Sequence, residues 1–294
     1  MNFGWLPALA IVVVGQIGPA GLAAQPVAQS PSVPEIHWRT DYGEARIAAE
    51  RTGKMLVIFF EDVNNPRCRE FTSVTLADQR VRRQAQGYVC VRLPVDYRLA
   101  IDGKQVVLLE HAAFREMLGR PGIAIVDLTC PASRLYGAVV SMFPLTEKFR
   151  YTPEQMLVIL GLPTGTLTQR TLIYAVRTHP EKPASTEGQF FPCLAAEAEG
   201  HSDYQAKIRC QGHHFWDWRF HRINASLPSG CTAREVCAES WPGENLVEAA
   251  VECVRCWRTS SGHWSAVCAP HRCFAYDMKR GDNGIWYATG IFGG

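Results

Sequence analysis

Two histidines and one glutamate of this chain could form a metal or ligand site, although they lie far apart in the sequence. The three residues are His213, Glu239 and His263, and His214 stands beside the first as an alternative. Imidazole and carboxylate groups are zinc ligands, and three protein ligands leave a fourth position open for water or a ligand. We therefore predict a cleft lined by these four side chains, in which His213, Glu239 and His263 bind a metal ion such as zinc.

One amphipathic helix must hold Glu239 and His263 at its opposite ends. It is predicted to begin near residues 242–244, and its apolar positions recur at the spacing of one buried helix face. We expect Gly262 to end this helix, so that His263 lies just beyond it and can turn into the cleft. The stripe consists of Leu246, Ala250, Cys253, Val254 and Trp257.

The rest of this C-terminal half is predicted to combine further helices with a hairpin. Helices are expected over residues 166–176 and 193–206. Two strand-like runs, 272–278 and 285–290, are joined by turn residues, a pattern typical of a β-hairpin.

The N-terminal half alternates strand and helix patterns. Residues 55–60 form an apolar run rich in β-branched and aromatic side chains, which favours a strand buried on both faces. Alternation of this kind predicts an α/β sandwich. The other expected elements are helices over 43–51, 68–84 and 111–118 and strands over 88–95, 122–128 and 134–140.

Composition divides the chain into two differently built parts. Three of the eleven cysteines and two of the eight tryptophans precede residue 190, and the others follow it. A chain of 294 residues is long enough for two domains, which we place at 36–162 and 163–294. Because 30 basic and 28 acidic residues nearly balance and form no basic run, we predict no nucleic-acid partner.

The first 34 residues contain no charged side chain and include the apolar run 9–14. This pattern predicts a signal peptide over 1–24 and a linker over 25–35, so the protein is expected to be secreted, periplasmic or attached to the cell envelope. An uncleaved N-terminal anchor is the alternative, and it would be the chain's one contact with a membrane.

The cysteine content fits export to an oxidising compartment. Eleven cysteines there predict a disulfide framework with at least one thiol left over. A zinc site of four thiolates, Cys253, Cys256, Cys268 and Cys273, is the alternative for part of this set.

The N-terminal half resembles the thioredoxin fold over roughly residues 36–160. The resemblance rests on the run 53–60, on Cys68 at the start of a helix, and on Arg120-Pro121 before a strand. It implies that Pro121 is a cis-proline and that Cys68 takes the second position of the family's CxxC motif. Because Asn65 occupies the first position, dithiol exchange is not expected. A lone reactive Cys68 thiolate, its pKa lowered by the helix end, remains the alternative.

The C-terminal half resembles the CAP superfamily, the SCP-like or pathogenesis-related-1-like domains, over roughly residues 165–294. The matching motifs surround His213, Glu239 and His263, together with the closing run 284–292. The resemblance implies a three-layer α-β-α sandwich whose cleft carries these three residues. The family's second acidic position has no counterpart at residues 258–261.

Together these features predict an exported binding protein rather than an enzyme. A redox-inactive thioredoxin-like module would precede a CAP domain that binds a metal ion, a small molecule or a cell-envelope ligand. Two alternatives remain open. One is a thiol-based redox protein acting through Cys68, and the other is a metal-dependent hydrolase in which Glu239 is the general base.

Overall fold

A computed structural model describes residues 34–101 and 103–294, which belong to one compact unit. The predicted signal peptide and nearly all of the predicted linker lie outside these residues. The protein mixes helices and strands, as the α/β prediction requires. No helix in the described part of the chain is long and apolar enough to cross a membrane.

Strands and helices alternate along most of the described chain. The strands are β1 (Trp38–Arg39), β2 (Leu56–Glu61), β3 (Val89–Pro94), β4 (Arg98–Ile101), β5 (Lys104–Val107), β6 (Gly122–Val126), β7 (Val139–Pro144), β8 (Gln189–Phe190), β9 (Ala233–Glu239), β10 (Cys273–Arg280) and β11 (Trp286–Gly293). The α-helices are α1 (Tyr42–Thr52), α2 (Pro66–Glu70), α3 (Gln79–Ala85), α4 (Pro153–Leu160), α5 (Leu167–Arg177), α6 (Pro192–Ile208), α7 (Trp216–Ser226), α8 (Leu246–Thr259) and α9 (Ser261–Cys268).

The first sheet has the strand order β1-β3-β2-β6-β7. Its first three strands are parallel, and β6 and β7 are antiparallel to their neighbours. Strand β2 was predicted and is buried on both faces: Val57 and Phe59 join one apolar cluster, while Ile58 and Phe60 join another. Successive side chains of a strand point to opposite faces, so one apolar run serves both clusters. Strands β4 and β5 form a separate hairpin.

Three predictions in this half need correction. The helix expected over 68–84 is divided into α2, a π-helical turn at Phe71–Thr75, and α3. Asp78 caps α3 by accepting hydrogen bonds from Arg80 and Val81 backbone N–H groups, so a new helix begins where a continuous one was expected. The expected helix 111–118 is a 3₁₀ helix at Ala112–Met117, and the last strand lies at β7 instead of 134–140.

The second sheet has the order β8-β10-β11-β9 and helices on both faces. On one face Phe274 and Tyr276 pack in a cluster with Trp257 of α8. On the other face Ala275 and Ile291 pack against α6 and α7. The predicted hairpin is present as β10 and β11. Strand β9 was not predicted and lies at an edge of the sheet.

Asn224 fastens the end of α7 to the start of β9. Its side-chain amide Nδ2 donates to the carbonyl of Phe220 at 2.7 Å, and its Oδ1 accepts the backbone N–H of Ala233 at 3.0 Å. Both polar groups of this amide are therefore engaged inside the fold.

The cysteines are all free thiols in this structure, so it contains none of the expected disulfides. The alternative zinc site of four thiolates is wrong. Cys253 is buried in the cluster on the α8 face of the second sheet, whereas Cys273 belongs to the cluster on the opposite face. The sheet itself separates two of the four proposed ligands.

The segments 36–162 and 163–294 contain one large sheet each, and a common apolar cluster joins them. Helix α5 provides the join: Tyr174 packs on Phe143 of β7 with ring centroids 4.7 Å apart. The guanidinium of Arg170, fully buried, donates to Ser141 Oγ at 2.8 Å and to the carbonyl of Pro163 at 2.8 Å. Arg170 therefore forms hydrogen bonds with residues on both sides of the predicted domain boundary between residues 162 and 163.

Candidate functional site

His213 and His263 come together at one end of the second sheet's edge strand. His213 lies in the loop between α6 and α7, and His263 lies in the first turn of α9. Their Nε2 atoms are 3.3 Å apart, and 41% of the His213 side chain is exposed. The predicted pairing of these two histidines is therefore present and open to solvent.

The carboxylate beside this pair is Glu235 of β9. Its Oε1 is 3.0 Å from His213 Nδ1, and its Oε2 is 2.6 Å from Arg219 Nη1. The side chain is 1% exposed. A proton on Nδ1 that is shared with a carboxylate leaves the other ring nitrogen, Nε2, free to face His263.

Charge and burial act against each other at Glu235. Burial alone would raise its pKa, but the hydrogen bond with His213 and the positive charge of Arg219 hold the pKa below its ordinary value. Glu235 is therefore ionised at neutral pH. Burial and the neighbouring His213 lower the pKa of His263, which keeps that ring neutral and its lone pair available.

Glu239 does not join the histidines, which corrects the predicted ligand set. It lies at the exposed end of β9, where its backbone carbonyl faces Cys256 Sγ at 3.6 Å. Four residues of extended strand separate it from Glu235 by about 13 Å. The two side chains share a face of β9, but only Glu235 reaches His213.

The helix before His263 also differs from the prediction. Helix α8 ends at Thr259, and Gly262 lies inside α9 instead of ending a helix. Glu181 holds the first buried residue of α9, Trp264, by accepting its indole N–H at 2.9 Å. Arg258 pairs with the same carboxylate. His263 is thus positioned by a short helix that is fastened from outside.

The choice between His213 and His214 is decided by the ring positions. His214 Nε2 is 3.2 Å from the carbonyl of Cys210, and its ring packs edge-on against Tyr204 at a centroid distance of 5.5 Å. Its hydrogen-bonding nitrogen is used within its own loop. His213 is the one that faces His263.

A second, buried group lies on the other side of Glu235. His201, Glu235 and Cys237 place one ligand atom each within 4.8 Å of one another, so this group could hold a metal ion. Burial lowers the pKa of His201 to about 4, so the ring is neutral. Burial and the charge of Glu235 raise the pKa of the Cys237 thiol, so the thiol is protonated without a metal ion, and metal binding would release that proton.

Glu235, Cys237, Arg219 and His201 were not predicted from the sequence. The signal for two of them was present, because residues 235–239 alternate polar or thiol side chains with Val236 and Ala238, the pattern of a half-buried strand. Arg219 and His201 carry no such signal, since they reach the cluster only through the packing of α7 and α6.

The predicted thioredoxin-like site differs in two respects from a reactive one. No peptide bond in the described residues is cis, so Pro121 is trans and the cis-proline prediction is wrong. Cys68 is 1% exposed and packs in the core, and burial raises its pKa where the sequence analysis considered a lowered one. The nearby Asp62 and Glu61 charges also act against a thiolate.

Comparison of the chain with models of protein families finds no matching family, and comparison with curated proteins finds no matching protein.

Proposed function

We propose that this is an exported binding protein whose C-terminal half holds a divalent metal ion, zinc by its ligand chemistry, on His213 and His263. The 3.3 Å separation of their Nε2 atoms carries the proposal. Two nitrogens bound at about 2.0–2.1 Å to a tetrahedral zinc stand about 3.3–3.4 Å apart. The rings are therefore already at the separation that one shared zinc ion requires.

Glu235 supports the metal without binding it directly. It hydrogen-bonds the far nitrogen of His213, the usual arrangement for a histidine that ligates a metal through its other nitrogen. Arg219 balances the buried carboxylate. Two protein ligands leave two positions of a tetrahedral ion for water or for a donor atom of a bound molecule.

The helix layers on both faces of the second sheet and the pairing of His213 with His263 support the proposed CAP likeness. A binding role is supported by the carboxylate beside the histidines, Glu235, because its oxygens are already engaged. Glu235 is buried between His213 and Arg219, so it does not face a metal-bound water as a general base must. The buried thiol of Cys68 supports the proposal that the thioredoxin-like half is redox-inactive.

Calorimetric titration of zinc into the metal-free full-length chain tests this proposal. We expect one zinc ion per chain, and at least a 100-fold loss of affinity in the variant His213→Ala plus His263→Ala. Cobalt bound at the same site adds a visible absorption band that reports tetrahedral geometry.

Two glutamate variants separate the site found in the structure from the one predicted by sequence. Glu235→Gln is expected to weaken zinc binding 10- to 100-fold because it loses the acceptor that orients His213. Glu239→Gln, the matched control, is expected to change it less than twofold. Binding that survives the double histidine variant, or that depends on Glu239 and not on Glu235, would overturn the proposal. Circular dichroism of each variant establishes that it is folded.

A further inference from the structure

A cavity of about 420 Å³ opens between α6 and α7. Gly200, His201 and Tyr204 of α6 line it from one side, and Phe215 and Arg219 line it from the other. Its size falls within the range of small-molecule sites. It is separate from the proposed metal ligands, since neither His213 nor His263 lines it.

Two residues that line this cavity carry buried polar atoms without a hydrogen-bond partner in the region that the structure describes. Arg219 is 5% exposed, and its Nη1 forms an ion pair with Glu235 at 2.6 Å, but neither Nη1 nor Nη2 has a well-oriented hydrogen-bond acceptor among the described residues. The Nε2 of His201, a residue 4% exposed, is likewise unpartnered in the described part of the chain. A buried N–H of a charged group without an acceptor is destabilising, so it calls for an occupant that accepts hydrogen bonds.

Gly200 is a second and independent observation. It lies in the interior of α6, where glycine is less favourable than alanine. Packing does not demand a glycine here, because a Cβ at this position would meet no atom within 4 Å. The open space in front of it is the cavity. A side chain larger than a methyl group would enter that space.

The two arginines that line the cavity, Arg219 and Arg222, differ in how fully their guanidinium groups are paired. Arg222 is held by Glu197 and lies 4.3 Å from the ring centroid of Trp218. Arg219 is the cation with a spare donor. A planar guanidinium pairs best with a carboxylate, which can accept two parallel hydrogen bonds. The rings of Tyr204 and Phe215, whose centroids are 5.4 Å apart, form an apolar wall beside it.

We propose that this cavity is a binding site for a small carboxylic acid in its anionic form, with the carboxylate on Arg219 and an apolar body along Tyr204 and Phe215. A cavity of about 420 Å³ has the size of a site for a small aromatic acid. This site goes beyond the metal proposal and does not depend on it.

Titration of 2-naphthoate into the metal-free full-length chain tests the inference, and metal removal ensures that the carboxylate does not report the zinc site. The uncharged isostere 2-naphthamide is the matched ligand control. We expect saturable one-to-one binding of naphthoate and at least tenfold weaker binding of naphthamide. Arg219→Lys, which keeps the charge and loses the Nη2 donor, is expected to weaken naphthoate binding at least tenfold.

Substitutions of Gly200 test the location without disturbing any charge. Gly200→Leu fills the cavity on a helix that tolerates the larger residue, so we expect naphthoate binding to be lost. Gly200→Ala, the matched control, should bind naphthoate within twofold of wild type. No binding to the wild-type chain, equal binding of acid and amide, or full binding to the Gly200→Leu variant would each overturn the proposal. Zinc binding is measured separately, so failure of one proposal leaves the other standing.

Discussion

Glu235 and Glu239 show how strongly the surroundings decide what a carboxylate can do. They lie on the same face of one strand, yet the first is enclosed by His213, Arg219 and His201 and the second is exposed. Hydrogen bonds and neighbouring cations keep the buried carboxylate ionised against the cost of its burial. Glu235 can therefore orient His213, whereas the exposed Glu239 makes no contact with the histidines.

Asp277 is a buried carboxylate with the opposite balance. It is 0% exposed, and burial raises its pKa from 3.8 to about 6, more than the attraction of Lys279 and the hydrogen bond from Thr168 lower it. The folded state thus holds this proton more tightly than the unfolded chain does. Its contribution to stability is present below about pH 4 and is lost as the pH rises through about 6.

We expect Asp277→Asn to remove this loss. The interval from 3.8 to about 6 corresponds to roughly 3 kcal/mol, so the free energy of unfolding of the variant minus that of wild type should rise by about 2–3 kcal/mol between pH 4 and pH 7. Urea denaturation at the two pH values measures it. Asp217→Asn, an exposed aspartate on α7, is the control. A difference that stays constant between the two pH values would contradict the assignment.

Short elements in this protein depend on contacts outside themselves. Helix α9 has eight residues, too few for a stable isolated helix in water. The indole of Trp264, bonded to Glu181 and packed against His179 at a ring distance of 4.7 Å, fastens it. Because His263 precedes Trp264 directly, this contact also sets the position of a proposed metal ligand.

Glu181→Ala is therefore expected to lower zinc affinity about 3- to 10-fold without touching either histidine. The reason is that α9 would have to be ordered at the moment of binding, which takes free energy from the interaction. Calorimetry with zinc measures the change, and Glu187→Ala, an exposed glutamate nearby in sequence, is the control. Equal zinc affinity in wild type and Glu181→Ala would show that α9 is held in place by other contacts.

The elements that sequence analysis predicted correctly carry a strong local signal. Strand β2 is a continuous apolar run, and α8 has an apolar stripe at helical spacing. Strand β9 was not predicted, because its seven residues carry charges and a thiol on the face toward α6. The sequence of this segment therefore resembles that of a loop. The break between α2 and α3 depends on the cap at Asp78, which a periodic apolar pattern does not reveal.

Local sequence patterns also explain why only part of the candidate site was predicted correctly. His213 and His263 were identified by residue type, and the structure brings them together. Glu239 was wrongly grouped with them, because its position next to the predicted helix suggested that it would lie close to the histidines. Glu235 is the carboxylate beside His213, with Oε1 3.0 Å from Nδ1, and it lies on β9, which pairs with β11. Pairing across strands is not encoded in any short stretch of sequence.

At the scale of the whole molecule, the two sheets share a core through α5. Arg170 is central to this join, since its fully buried guanidinium donates to Ser141 and to the carbonyls of Leu162 and Pro163. Burial lowers the pKa of Arg170 to about 10, which still leaves it charged at neutral pH. We therefore expect residues 34–294 to unfold as a unit.

Replacing Arg170 by methionine tests this expectation. The variant leaves three buried acceptors without a donor, and we expect the free energy of unfolding to fall by about 3 kcal/mol or more. Far-UV circular dichroism and tryptophan fluorescence should follow one common transition in urea, shifted to lower concentration in the variant. Arg46→Met on the half-exposed face of α1 is the control. Two separate transitions, with only one shifted, would show that the halves unfold independently.

The bond between Asn224 and β9 has a consequence for producing the protein. Asn224-Ala225-Ser226 matches the acceptor triplet for N-linked sugars, which are attached to the side-chain nitrogen. In the folded chain that nitrogen donates to Phe220, and the amide oxygen is held by Ala233. A sugar replaces one of the two N–H groups of that nitrogen, so it must leave the fold along the N–H that does not donate to Phe220. A eukaryotic secretory host could therefore yield glycosylated and unmodified chains together, whereas a bacterial host that leaves the triplet unmodified would yield one product.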